Sequence, residues 1–496
     1  MRDIDSIRAD LEKFTEDIER EQYENFSGQK DDFDTSSIYA RYDNIFQDAG
    51  LLEEIRSKKY SVSGSERSRL SYLYSFLVTN YIDRKTSVLT DNILTLEAKT
   101  EVEVDGRKMP FRYCSVALTN EADHDKREMI DKSREPVFDQ LNPLMTERLN
   151  RIYDITEGLG YSNYVELCED ITGIDLYDLR LKMQNILYRT DRLYTRYFRM
   201  ACKNILDLNL PDVRKHDIAF LFRAKGFDPI FKKDNMMKVV DNTLSGIGLS
   251  LNNNLNIKLD TEEREKKSPR AFCSPIKVPD TVMLCIMPKG GMDDYRAFFH
   301  EMGHSQHFGN VNPSMPFEFK YLGDNSVTES YAFLFEHLVS NKNWIGQNFE
   351  VTDEELYRIV QFTSFHTLYM LRRYAAKLLY EIELHSGADN PEKIYSQLLG
   401  DALKFKHPEN QYLYDCDPGF YCANYLRAWM FEVQLRNALV DDFGTVWWNI
   451  KDCGEYLKDI WSIGQKFNCD QMAKNLGYYG IDEYPLIREL EKNLRY

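Results

Sequence analysis

A mainly α-helical protein is predicted by the periodicity of this sequence, by how little of it reads as strand, and by its even, aromatic-rich composition. Leu11, Phe14, Ile18 and Tyr23 recur at three- to five-residue spacing. Leu, Ile, Tyr and Met repeat in the same way from Leu176 to Leu208, so each segment carries one apolar stripe suited to packing. Strand signals are confined to two places. Thr100 to Val104, a turn at Asp105-Gly106, and Lys108 to Leu118 predict a β-hairpin, because Asp-Gly accepts the positive φ angles of a tight turn. The run Ile276 to Met287, IKVPDTVMLCIM, predicts a strand, closed by Pro288, Lys289, Gly290 and Gly291.

The chain has 496 residues, enough for several domains or one large fold with its own core. Composition barely shifts along it, and neither a low-complexity linker nor a repeat is visible. One compact body is expected, with an N-terminal helical lobe at 1–210 and a second helical lobe at 211–496 that carries the chemistry below. The boundary between them is placed between Leu210 and Lys267. The polar stretch Leu251 to Lys267, rich in Asn, Glu and Lys, is expected to be a flexible insertion or lobe junction.

Charge excludes several partners. With 63 Lys and Arg against 80 Asp and Glu, the net charge of −17 repels phosphate backbones and anionic lipid, and no basic block overrides it. Nucleic acid and membrane surfaces are therefore not expected partners. An aromatic content of 13% is too high for an acidic disordered chain. The nine cysteines contain no C-x-x-C pair, which fits free thiols in a reducing compartment. The N-terminal segment has no apolar signal-like run, and no stretch reaches the roughly 18–20 apolar residues of a spanning helix. A cytoplasmic location is expected.

The sharpest signal is YRAFFHEMGHSQHFG, which contains H-E-x-x-H at His300, Glu301 and His304. On a helix, positions i and i+4 share a face, so two imidazoles can converge on one zinc ion. Glu301 beside them is placed to take a proton from water rather than to bind metal. A catalytic zinc needs a third protein ligand and one open position. The extended motif with a third His is excluded, because its Gly position is His307 and its last His position is Asn310. A carboxylate is left, and DNSVTESYAFLFEHL offers Glu329, 25 residues beyond His304, with Glu336 as the fallback.

Glu329 has a second reading. Ser326-Val327-Thr328-Glu329 matches a capping box, and Asp324, Asn325 and Ser326 all favour a helix start. His307 and His337 read as packing histidines. Glu301-x-x-His304 is also half of a di-iron bundle site, whose other half would be Glu121-x-x-His124. That scheme leaves His300 idle.

With these residues in place, FFHEMGHSQHF followed by Glu329 resembles the thimet oligopeptidase and oligoendopeptidase F family of zinc metallopeptidases. The Gly within H-E-x-G-H and the spacing of 25 residues to the carboxylate both agree with that family. The strand IKVPDTVMLCIM is similar to the edge strand lining its cleft. The resemblance implies a large helical zinc-peptidase fold with a deep substrate cleft and a small β element near the active site. It also implies one Zn2+ per chain and short peptide substrates.

Asp417 to Met430, DPGFYCANYLRAWM, resembles the segment whose phenols stabilise the tetrahedral intermediate, with Tyr421 and Tyr425 on the matching positions. Two departures stand out: Cys416 replaces a His and Ala428 replaces a third Tyr. The resemblance is specific over residues 275–309, 324–337 and 417–430. The segment LRRYAAKLL resembles related helical zinc carboxypeptidases, which implies that Arg372 or Arg373 holds a substrate carboxylate.

The expected activity is hydrolysis of short oligopeptides, with His300, His304 and Glu329 on the metal, Glu301 as general base, and Tyr421 or Tyr425 on the oxyanion. A carboxypeptidase and a catalytically silent peptide- or metal-binding relative are the alternatives. The intact Glu301 argues against silence, since it adds no metal ligand.

Overall fold

The computed structural model describes residues 3–251 and 256–494. Among these residues it contains twenty-one α-helices and five short strands. No helix among them is long and apolar enough to cross a membrane. All nine cysteines are free.

Helix periodicity translates directly into structure. Ile4–Phe26 is a helix whose start is capped by the Asp3 carboxylate, and it buries Ile7, Leu11, Phe14 and Tyr23. Leu176–Ala201 is likewise capped by Asp175 and buries Leu176, Leu179, Met183, Ile186, Tyr194 and Phe198 on one face. It ends where the backbone widens over Cys202–Leu206 and turns left-handed at Asp207.

The two strand regions depart from expectation in an instructive way. Strands β1 (Glu101–Val104) and β2 (Arg107–Pro110) pair antiparallel, with Val104 opposite Arg107. Asp105 and Gly106 take φ of 51° and 72° between them, as a mirror-image hairpin turn requires. The second strand does not run on to Leu118. It stops at Pro110, which has no N–H for the ladder, and the chain becomes the helix Cys114–Asn120. Phe111, Cys114 and Leu118, at helical spacing, bury against Val102, Ile130 and Phe138. The packing surface is a helix face, not a sheet.

The run Ile276 to Met287 is also not one strand. It is the end of β4 (Phe272–Lys277), a turn at Val278 to Asp280, and β5 (Thr281–Cys285). A third strand, β3 (Ile257–Asp260), completes a sheet of order β3-β5-β4, with β3 parallel and β4 antiparallel to β5. Pro279 breaks the apolar run in the middle, and apolar content alone cannot show a reversal.

Of the polar stretch expected to be flexible, Asn252, Asn253, Asn254 and Leu255 lie outside the described residues. The remainder is pinned rather than loose. Asp260 at the end of β3 accepts hydrogen bonds from Lys267 Nζ (2.9 Å), Arg264 Nη1 (2.9 Å) and the Tyr23 hydroxyl (3.0 Å).

The chain divides into two compact units. The first is Met1–Val78, Lys225–Val360 and Arg427–Leu486; the second is Thr79–Ala224, Gln361–Leu426 and Ile487–Tyr496. Each is therefore assembled from three stretches, where the sequence reading divides the chain serially at 210. One crossing, Ala224 to Lys225, falls within the predicted interval.

In the first unit, the helix Met292–Gly309 packs on β4, β5 and the helix Asn325–Glu336. Gly303 sits at the helix crossing, where a Cβ would lie 2.6 Å from Ala332 Cα and from the Tyr331 carbonyl oxygen. Only glycine lets the two backbones approach this closely.

Candidate metal centre

His300 and His304 lie one turn apart on Met292–Gly309, with ring centroids 5.0 Å apart. The close approach at Gly303 brings Glu329 on the neighbouring helix against them. Glu329 Oε2 lies 3.3 Å from His300 Nε2 and 3.7 Å from His304 Nε2. One ligand atom from each of the three residues falls within 4.8 Å of the others. Glu329 does not cap its helix; Asp324 does, accepting from Ser326 N at 2.9 Å.

The other nitrogen of each imidazole is held by a separate group. His300 Nδ1 donates to Glu336 Oε2 at 3.0 Å, and Glu336 Oε1 in turn accepts from Arg296 Nη2 at 2.6 Å. His304 Nδ1 lies 2.8 Å from Thr328 Oγ1. Both Nε2 atoms thus face the same carboxylate oxygen. A carboxylate on the far nitrogen fixes the tautomer and raises the basicity of a metal-bound imidazole. Glu336, the fallback ligand, has this supporting position instead. Two imidazoles and one carboxylate are a donor set suited to zinc with an open coordination position.

Electrostatics follow from the packing. Burial disfavours a charged His300, but the Glu329 and Glu336 carboxylates on its two nitrogens outweigh that and push it up to about 10. His304 is driven down to about 4 by burial. Burial also pushes the Glu301 carboxyl up to about 7, opposed by His300 and by the Cys273 amide of β4, which donates to Glu301 Oε2 at 2.9 Å. A carboxyl near neutrality is suited to accepting and returning a proton.

Other predicted residues fall elsewhere. His307 is buried against Tyr331 and Phe308, and burial lowers it to about 3, so it is a neutral core residue. Tyr421 and Tyr425 belong to the second unit. Their rings are 5.3 Å apart, and Tyr425 also meets Tyr374 at 5.5 Å.

Arg372 is not a free anchor for a substrate carboxylate. It is buried, and it donates to the Ala402 and Leu187 carbonyls, to Thr190 Oγ1 and to Asp191 Oδ1. Arg373 pairs with Asp415. An arginine on a helix reads the same in sequence whether its fork is exposed or spent on the scaffold. The di-iron alternative also has no geometry: Glu121 accepts from the Asp123 amide at 2.9 Å, and His124 faces Asp217.

Sequence reasoning missed the supporting residues Thr328, Arg296 and Arg427, and the role of Glu336. Arg427 lies inside DPGFYCANYLRAWM, the one available hint. Its guanidinium donates to Asp324 Oδ2 (2.9 Å) and Asp470 Oδ2 (2.9 Å), locking the start of the helix that carries Glu329. No protein-family model matches this chain, and no curated protein matches it.

Proposed function

We propose that the protein is a zinc-dependent metallopeptidase that hydrolyses short oligopeptides. The observation that carries this reading is the convergence of His300 Nε2 and His304 Nε2 on Glu329 Oε2, with the non-ligand carboxyl of Glu301 alongside. The resemblance to the thimet oligopeptidase and oligoendopeptidase F family supplies the peptide substrate and the deep cleft, and nine free thiols support a cytoplasmic setting.

His300, His304 and Glu329 would hold one zinc ion. When bound, zinc supplies Lewis-acid polarisation to water and to a peptide carbonyl. Glu301 takes the proton of the attacking water and returns it to the departing amine. Its hydrogen bond from the β4 amide fixes one oxygen and leaves the other to turn toward the reacting atoms. Glu336 and Thr328 hold the rings in orientation. In the family resembled, phenols donate to the developing oxyanion, and Tyr421 and Tyr425 are the matching positions in this sequence.

The test is Glu301→Gln. Turnover of a mixed short-peptide library, read by mass spectrometry, is expected to fall about 10³-fold while zinc content stays unchanged. Turnover that survives this change sinks the mechanism. Product termini in the unmodified protein distinguish internal cleavage from carboxypeptidase action.

A further inference from the structure

We propose that the second unit binds a divalent metal ion, zinc by its donor set, between His124, His216 and Asp217, in a structural role. His124 opens the helix His124–Gly158, and His216 and Asp217 lie in the first turn of Lys215–Leu221. His124 Nδ1 is 2.9 Å from Asp217 Oδ1, and the two rings are 5.2 Å apart. One ligand atom from each of the three residues lies within 4.8 Å of the others, as in the first centre.

His216 carries the argument. It is only 4% exposed, and its Nε2 is buried with no hydrogen-bond partner. That nitrogen points at Asp217 Oδ2 from 3.7 Å, too long for a hydrogen bond. Donors around tetrahedral zinc, with bonds of about 2.0–2.1 Å, stand roughly 3.3 Å apart, so a small closure about a shared ion suits this pair. A buried imidazole nitrogen without a partner carries the full cost of its desolvation, and a metal bond removes it.

The surroundings fit a ligand set rather than a chance contact. On its other side, His216 Nδ1 has the Asp131 carboxylate nearby, 3.7 Å away and beyond hydrogen-bond distance. Asp217 Oδ1 is fixed by Arg127 through Nε (3.0 Å) and Nη2 (2.8 Å), and its Oδ2 accepts from Arg214 N (2.9 Å). Asp217 and Asp131 bring two negative charges to the site, beside the one positive charge of Arg127.

The test is metal counting on full-length protein stripped with chelator and reloaded with zinc. About two zinc ions per chain are expected, one in His300→Ala/His304→Ala, one in His216→Ala, and none when all three changes are combined. Retention of two zinc ions by His216→Ala, or of none by His300→Ala/His304→Ala, overturns the proposal. Should His216→Ala fail to fold, His124→Ala, at a partly exposed side chain, is made in the His300→Ala/His304→Ala background. There zinc is expected to raise the thermal midpoint of the background protein and not that of the added variant. An equal response in both overturns the proposal. These readouts count metal rather than turnover, so they stand apart from the peptidase reading.

Discussion

The centre at His300, His304 and Glu329 and the cluster at His124, His216 and Asp217 hold the same donor types at similar separations, yet they divide labour differently. In the first, Glu329 Oε2 faces both imidazole nitrogens, Asp324 caps the helix and pairs with Arg427, and Glu336 braces His300. In the second, Asp217 does everything at once. It holds the start of its helix, pairs with Arg127 and faces both imidazoles. A carboxylate tied to an arginine suits an ion that never exchanges its ligands.

The comparison can be broken most decisively by removing one imidazole. His304→Ala is expected to abolish peptide turnover and to lower zinc content by one ion per chain, checked by metal analysis beside the peptide assay. Loss of both ions from that single change would count against a separate second site.

Asp324→Asn attacks the scaffold and leaves the ligands alone. It removes the buried carboxylate that faces Arg427 and leaves the more exposed Asp470, and a loss of about 3 kcal/mol of stability is expected in denaturant titration. Burial alone would raise the Asp324 carboxyl, but Arg427, Ser326 and the Cys469 amide hold it below the ordinary value of 3.8. Its contribution is therefore present above that pH and is lost as pH falls below it through the folded value. The unmodified protein should show an acid limb that the Asn variant lacks; parallel pH profiles would refute the assignment.

Smaller effects sharpen the contrast. Glu336→Gln keeps all three ligands and weakens only the brace on His300, so zinc affinity at the first centre should fall about 10–100-fold in a competition titration. No change in affinity would reduce Glu336 to a surface contact of Arg296. Gly303→Ala forces a Cβ against the backbone of Tyr331 and Ala332, and is expected to cost about 1–3 kcal/mol. Its thermal midpoint should drop, with zinc lost from the first centre before the second. A midpoint equal to that of the unmodified protein would mean that the two helices part freely.

Legibility followed the range of the interaction. His300, Glu301 and His304 are visible because i and i+4 on a helix meet whatever the rest of the chain does. The helices Ile4–Phe26 and Leu176–Ala201 are visible for the same reason. The run Ile276 to Met287 misled because an apolar stretch looks alike with or without a reversal inside it, and Phe111 to Leu118 misled because three buried residues fit either period. Arg372 misled because its acceptors, at Leu187, Thr190, Asp191 and Ala402, come from distant parts of the sequence.

By itself, then, the sequence determined what local periodicity and short spacing can carry: a helical chain, an Asp-Gly hairpin turn, and two imidazoles with a glutamate on one helix face. Only the tertiary structure decided which carboxylate meets them, that Glu336 braces instead of binds, that the β4 amide holds Glu301, and that His124, 92 residues before His216, lies beside it and Asp217. Those choices depend on which helix faces are driven together when apolar surface leaves water, and that partnership is a property of the whole packed core.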